Sequence, residues 1–217
     1  MEFITYFIDL FIHLDRHLNA VIQSFGGWTY VLVFIVIFCE TGLVVTPLLP
    51  GDSLLFALGT FAALGSLEVE LLITVLIIAA IAGDSVNYAM GKFIGPCIFH
   101  EKGGRFFKKE YLEKTQKFYE KHGGKTIVLA RFIPIIRTFA PFVAGIGSMS
   151  YGRFISYNVS GGISWVVIFV MGGYYFGAIP LVRNNFTLVI LAIILISVLP
   201  GIIELLRQRR SALSHNV

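Results

Sequence analysis

Charge is scarce in this chain. Asp, Glu, Lys and Arg make up 14% of its 217 residues, against roughly 25% in an average soluble domain. Cysteine and histidine are also rare, at two and five residues. Cys39 lies inside an apolar run and Cys97 beside a basic loop, so neither placement supports a disulfide framework. Two thiols without clustered histidine make no metal site, and no metal or cofactor is expected. His13, His17, His100, His122 and His215 all fall outside the apolar hairpins and spans. With no Ser-His pair, metal-ligand cluster or phosphate-cradling loop, no catalytic set is present and the protein is not expected to be an enzyme.

Apolar residues fill the space that charge leaves. They reach 56% of the chain, with 20 phenylalanines, and the mean hydropathy is +0.81. Much of this content falls in runs long enough for a hydrocarbon core of roughly 30 Å. The expected fold class is an all-α integral membrane protein, which excludes a soluble enzyme and a disordered chain.

The net charge of +4 is unevenly spread. Nine of the 17 Lys and Arg residues lie from Lys92 to Lys125, and Arg207, Arg209 and Arg210 follow the last apolar run. The positive-inside rule places both regions in the cytoplasm. Such a balance reads as topology and attraction to anionic lipid, not as nucleic-acid binding.

Residues 1–25 carry no basic n-region, and Asp9 and His13 interrupt their apolar stretch, so a cleavable signal peptide is not expected. Phe3, Phe7, Leu10, Leu14, Leu18 and Val21 recur at helical spacing and predict an amphipathic helix, lying at the interface or packed on a bundle. Residues 26–210 form the membrane domain. Within it, 26–95 is one unit and 96–125 a basic amphipathic segment on the cytoplasmic surface. A second unit covers 126–178, a last transmembrane helix covers 186–206, and 207–217 is a cytoplasmic tail.

Each unit opens with a broken apolar segment. Pro47, Pro50 and Gly51 interrupt the first, and Pro134 and Pro141 the second. The stretch 53–65 gives about 20 Å of helix at ~1.5 Å per residue, short of the ~30 Å core. Kinked spanning helices are one reading. Lengths favour the other, re-entrant hairpins whose broken backbone is sheltered by protein or a watery cavity. Residues 25–41, FGGWTYVLVFIVIFCET, share six identities in seventeen with 122–138, HGGKTIVLARFIPIIRT, at an offset of 97. Gly91 and Gly95 match Gly173 and Gly177 at an offset of 82. Each copy is a hairpin followed by one crossing, an odd number, so the copies are expected to be inverted. Paired broken segments in inverted halves point to a transporter's site near the midplane.

Five ionisable residues lie within apolar segments: Glu40, Asp52, Asp84, Arg131 and Arg137. A charge at the bilayer centre costs at least ~2.5–3.5 kcal/mol on insertion scales, so these need partners or a wet cavity. At an offset of 97, Glu40 and Arg137 are equivalent and placed to meet. A salt-bridge network that only fixes hairpin packing is one reading. The other is a phosphate receptor built by Arg131, Arg137, Thr138 and free helix-end N–H groups. In that reading Glu40 and Asp52 exchange protons with the outer aqueous face. Asp84, Asn87 and Tyr88 share a helix face and read equally as a polar seam or as part of the site. The GxxxG pairs read as close-packing surfaces.

Three strings, FCETGLVVTPLLPGDSLLFALG, GDSVNYAMGKFIG and ARFIPIIRTFAPFVAGIGSMSYGRF, together resemble the DedA family of bacterial inner-membrane proteins. The resemblance covers roughly residues 1–210. It implies a multi-pass protein of the bacterial inner membrane that translocates lipid. Undecaprenyl phosphate, the cell-wall lipid carrier, is the substrate it favours, and phospholipids such as phosphatidylethanolamine are an alternative. The family's required acidic and arginine pairs match Glu40, Asp52, Arg131 and Arg137. Beside lipid transport stand a proton- or cation-coupled ion transporter and a purely structural envelope protein. A homo-oligomer is left open.

Overall fold

The computed structural model describes residues 20, 22–43, 51–100, 125–147, 149–177, 179–180, 182, 188–189 and 192–193, the side chains of 95–100 and 134–135 excepted. Pro47 and Pro50 lie outside the described residues, as do most of the N-terminal amphipathic helix, the basic segment, the last transmembrane helix and the tail.

The described residues fold into helices. They are α1 (Trp28–Gly42), α2 (Gly51–Ala63), α3 (Val69–His100), α4 (Lys125–Ala130), α5 (Pro134–Ile146) and α6 (Tyr151–Gly177). Val69–Ile94 and Tyr151–Gly177 are long and apolar enough to cross a membrane. α3 runs on to His100, past the boundary drawn from sequence at residue 95.

The first broken segment turns back on itself. At one end of its arms the Gly51 N–H donates to Glu40 Oε1 at 3.1 Å. At the other, the Glu68 N–H, just beyond α2, donates to the Tyr30 hydroxyl near the start of α1 at 2.8 Å. The second segment behaves likewise: Ile127 of α4, Ala144 of α5 and Phe154 of α6 share one buried cluster. Its break occupies 131–133, ahead of Pro134, which starts α5. Proline suits that position because its missing N–H would have no helical partner there. Pro141 is not a break as expected from sequence, since α5 continues through it. The local cost is one backbone bond, the one the Arg137 carbonyl would otherwise accept.

Helix packing is exchanged between the two units. α2 packs chiefly on α6, and α5 chiefly on α3. Both contacts are backbone to backbone, made at glycine. A Cβ on Gly173 would run into the Phe56 carbonyl, and one on Gly59 into the Val170 carbonyl. A Cβ on Gly91 would run into the Phe142 carbonyl, and one on Gly145 into the Tyr88 carbonyl. Phe56 and Gly59 precede Phe142 and Gly145 by 86 residues, while Tyr88 and Gly91 precede Val170 and Gly173 by 82. One contact therefore occurs twice. The outward surface is apolar, with Trp28, Phe93, Leu129, Tyr175 and Phe176 all exposed.

Candidate functional site

The five ionisable residues of the apolar segments are all buried, none more than 4% exposed. They form two adjoining clusters. In the first, Arg137, one turn into α5, spreads its guanidinium between two carboxylates. Nη1 donates to Asp52 Oδ1 at 2.8 Å, and Nη2 donates to Glu40 Oε1. Asp52 Oδ1 also accepts the Trp165 Nε1–H of α6 at 2.8 Å. The Arg137 guanidinium lies over the Trp165 ring, 4.8 Å from its centroid, within cation–π range. Four helices contribute one side chain each.

Local sequence explains the approach of Glu40. Gly51 opens α2, where orphan N–H groups and the helix dipole favour negative charge. A side chain at Gly51 would run into the Glu40 carboxylate, so only glycine lets the acid reach the backbone here. Asp52 follows in the first turn of the same helix and gains from the same dipole.

Arg131 organises the second cluster from the turn between α4 and α5. Its Nη2 donates to Asp84 Oδ2 of α3 and to Asn158 Oδ1 of α6, the latter at 2.5 Å. Asn158 is fixed in turn, its Nδ2 donating to the Ile81 carbonyl at 3.1 Å and to Ser85 Oγ at 3.4 Å. Asn87 joins the two broken segments. Its Nδ2 donates to the Thr41 carbonyl at the end of α1 at 3.0 Å and to the Thr138 carbonyl of α5 at 2.8 Å.

Polar capacity is left over. Glu40 Oε2, Asp84 Oδ1, Asn87 Oδ1, Arg131 Nε and Nη1 and Arg137 Nε are buried without a hydrogen-bond partner among the described residues. Buried polar atoms are overwhelmingly paired in folded proteins, so six such atoms in one place call for a ligand, water or proton. The site also holds three carboxylates against two guanidiniums.

Sequence reasoning named Glu40, Asp52, Arg131, Arg137 and Thr138, and the structure brings them together. It corrects the equivalence of Glu40 and Arg137: they bond directly, but Glu40 ends a first arm and Arg137 begins a second arm. The offset of 97 holds only for the first arms, and the break that follows is shorter in the second unit. Asp84 and Asn87 belong to the site. Tyr88 does not: its hydroxyl donates to the Met149 carbonyl and its ring stacks on Phe154 at 4.5 Å. Tyr88→Phe is therefore expected to cost about 1 kcal/mol, a typical net hydrogen bond, leaving activity unchanged; thermal denaturation with an activity assay checks it. Asn158 and Trp165 were missed. Their spacing of seven along α6, one helix face, was the available signal.

The VTT domain matches residues 49–175, which include Asp52, Asp84, Arg131, Arg137, Asn158 and Trp165. Protein DedA of Escherichia coli K12 is 51% identical over 214 residues, 98% of each chain. The chain belongs to the DedA family. Two further relatives are similar over less of their length. An uncharacterized membrane protein of Mycobacterium leprae is 42% identical, covering 82% of this chain and 79% of its own. Inner membrane protein YqjA of Escherichia coli K12 is 32% identical, covering 72% and 71%. No solved structure matches. This DedA-family chain is thus a membrane protein, consistent with its two long apolar helices.

Proposed function

We propose that the chain is a multi-pass transporter of the bacterial inner membrane that moves a phosphate-bearing lipid between leaflets, undecaprenyl phosphate first among candidates. Arg131 carries this reading. Two of its nitrogens, Nε and Nη1, are buried without a hydrogen-bond partner among the described residues. Gly161 and Gly162 leave room along the arginine, where a Cβ would stand 3.5 Å from Nε and 3.3 Å from Nη1. Nε and Nη1 point to different sides of the guanidinium, so each offers a separate charge-assisted donor to a phosphate oxygen. Both headgroups present the phosphate that arginine reads, so the family resemblance alone ranks the polyprenyl phosphate ahead of glycerophospholipids.

Architecture supports the same reading. α2 and α5 are each 13 residues long, about 20 Å at ~1.5 Å per residue. Neither reaches across a ~30 Å core, and both segments turn back toward the side they came from. In this reading they are re-entrant hairpins, and the twice-made glycine contact relates two inverted repeats. The site then sits where the hairpin breaks meet near the midplane, as in secondary transporters.

Arg137 is engaged by Glu40 and Asp52, so an anion reaches it only if those acids let go. One proton taken up by the cluster would balance its excess carboxylate, which links phosphate arrival to protonation. A second reading, a proton- or cation-coupled ion transporter, draws on Glu40 Oε2 and Asp84 Oδ1, the carboxylate oxygens left unpaired.

Reconstitution in liposomes separates the two. With a labelled polyprenyl phosphate, leaflet movement is expected in the native protein. Arg131→Ala and Arg137→Ala are each expected to slow it by at least about tenfold, a charge-assisted hydrogen bond being worth ~1.5–3 kcal/mol. Variants that move the lipid at the native rate would refute the phosphate reading. A pH-driven ion flux in liposomes lacking that lipid would favour the second.

A further inference from the structure

Outside the buried clusters, one cavity lies between the cytoplasmic end of α3 and the start of α6. It holds about 590 Å³ and is lined by Ser85, Tyr88, Ala89, Lys92, Phe93 and Tyr151, a volume in the range of small-ligand sites. Its walls are chiefly apolar and its polar groups converge. The Tyr151 hydroxyl donates to Ser85 Oγ at 3.4 Å, and Ser85 Oγ accepts from Asn158, the residue that holds Arg131. Lys92 and Phe93 are exposed at its rim, and no described residue pairs with the Lys92 ammonium.

Position defines the occupant. Lys92 is the first of the nine basic residues that orient this end toward the cytoplasm. The cavity therefore opens at the level of the inner leaflet's headgroups. A lysine at such depth extends its ammonium to the interface while its stem stays on apolar surface. Phe93 and Ala89 offer an apolar track beside it, and Tyr151 adds an aromatic ring at the interfacial level where such residues concentrate.

We propose that this groove is a docking site for an anionic glycerophospholipid of the inner leaflet. Its headgroup phosphate pairs with Lys92 beside the Tyr151 ring, and the upper part of one acyl chain lies along Phe93 and Ala89. Two side chains, Ser85 and Asn158, separate it from Arg131, so an occupied groove borders the buried site without entering it. Docking requires no translocation. The proposal stands or falls apart from the transport reading.

Photo-crosslinking of the full chain in nanodiscs tests it, using diazirine-bearing phosphatidylglycerol and phosphatidylcholine with the adducts mapped by peptide mass spectrometry. Phosphatidylglycerol is expected to label the peptides holding residues 85–93 and 151, at least fivefold more than phosphatidylcholine. Lys92→Gln and Lys92→Glu, at an exposed position that folding tolerates, should lower that labelling fivefold or more. Ala89→Trp, which fills the groove, should do the same where it folds. Arg153→Gln provides the control: it is exposed in the first turn of α6 but lies off the groove, and should leave labelling intact. Equal labelling by the two lipids would overturn the proposal. So would equal losses in the Lys92 and Arg153 variants, or crosslinks from the groove to residues 101–124 of the chain itself.

Discussion

Arg137→Met should destabilise the protein by about 3–5 kcal/mol, the cost of leaving buried charges without their partner. Here one guanidinium serves two carboxylates, Glu40 and Asp52, and also covers the Trp165 ring. Its removal strands both acids, along with the Trp165 N–H that depends on Asp52 being held in place. Thermal unfolding in detergent, followed by loss of the monodisperse species, checks the size. The informative step is the rescue. Adding Glu40→Gln and Asp52→Asn to Arg137→Met removes the stranded charges, and most of the lost stability should return. Lipid movement should not return, because the phosphate's partner is still missing. A triple variant as unstable as the single one would show that the cluster's charges are not what holds these helices. A triple variant that both folds and transports would reduce the cluster to packing alone. Arg137→Lys adds a further distinction. A lysine keeps the charge but cannot fork between acids contributed by α1 and α2, so a large share of stability should survive while transport falls.

Much of this site was legible in the sequence because bilayer chemistry is intolerant. An acid or guanidinium in an apolar run needs a reason, and the five that stood out, Glu40, Asp52, Asp84, Arg131 and Arg137, are the buried charges of the two clusters. Segment length supplied the second clue, since 13 residues make too short a helix to cross. Partner choice was not legible. Asp84 read as seam or site with equal weight because its i, i+3 and i+4 neighbours divide in space: Asn87 faces the broken segments, whereas Tyr88 faces the Met149 turn. Trp165 and Asn158 were hidden for a different reason. An aromatic and an amide in a spanning helix usually serve packing, and only the position of α2 against α6 turns Trp165 toward Asp52. The proline rule failed once, at Pro141, because a helix buried among neighbours tolerates the loss of a single backbone bond.

The glycine contacts carry the other large effect. Gly91→Ala and Gly173→Ala should each cost at least the ~1–3 kcal/mol typical of overpacking, because the new Cβ meets the carbonyl of Phe142 or Phe56. No rotamer relieves a clash with main chain, so a whole helix must shift. The paired positions should respond alike: Gly145→Ala like Gly59→Ala, where the obstacles are the carbonyls of Tyr88 and Val170. Gly152→Ala sets the baseline, since nothing lies within 4 Å of its Cβ position. It should be neutral or gain up to ~1 kcal/mol of helix propensity. Denaturation midpoints for the five variants decide the matter, and a Gly91→Ala midpoint equal to that of Gly152→Ala would refute the contact. The consequence reaches the site. The α2–α6 crossing sets Asp52 beside Trp165, and the α3–α5 crossing sets Asn87 against the Thr138 carbonyl. A helix moved outward by one methyl group stretches those bonds, so lipid movement should fall in the four contact variants even below their unfolding temperature. Gly152→Ala should transport at the native rate.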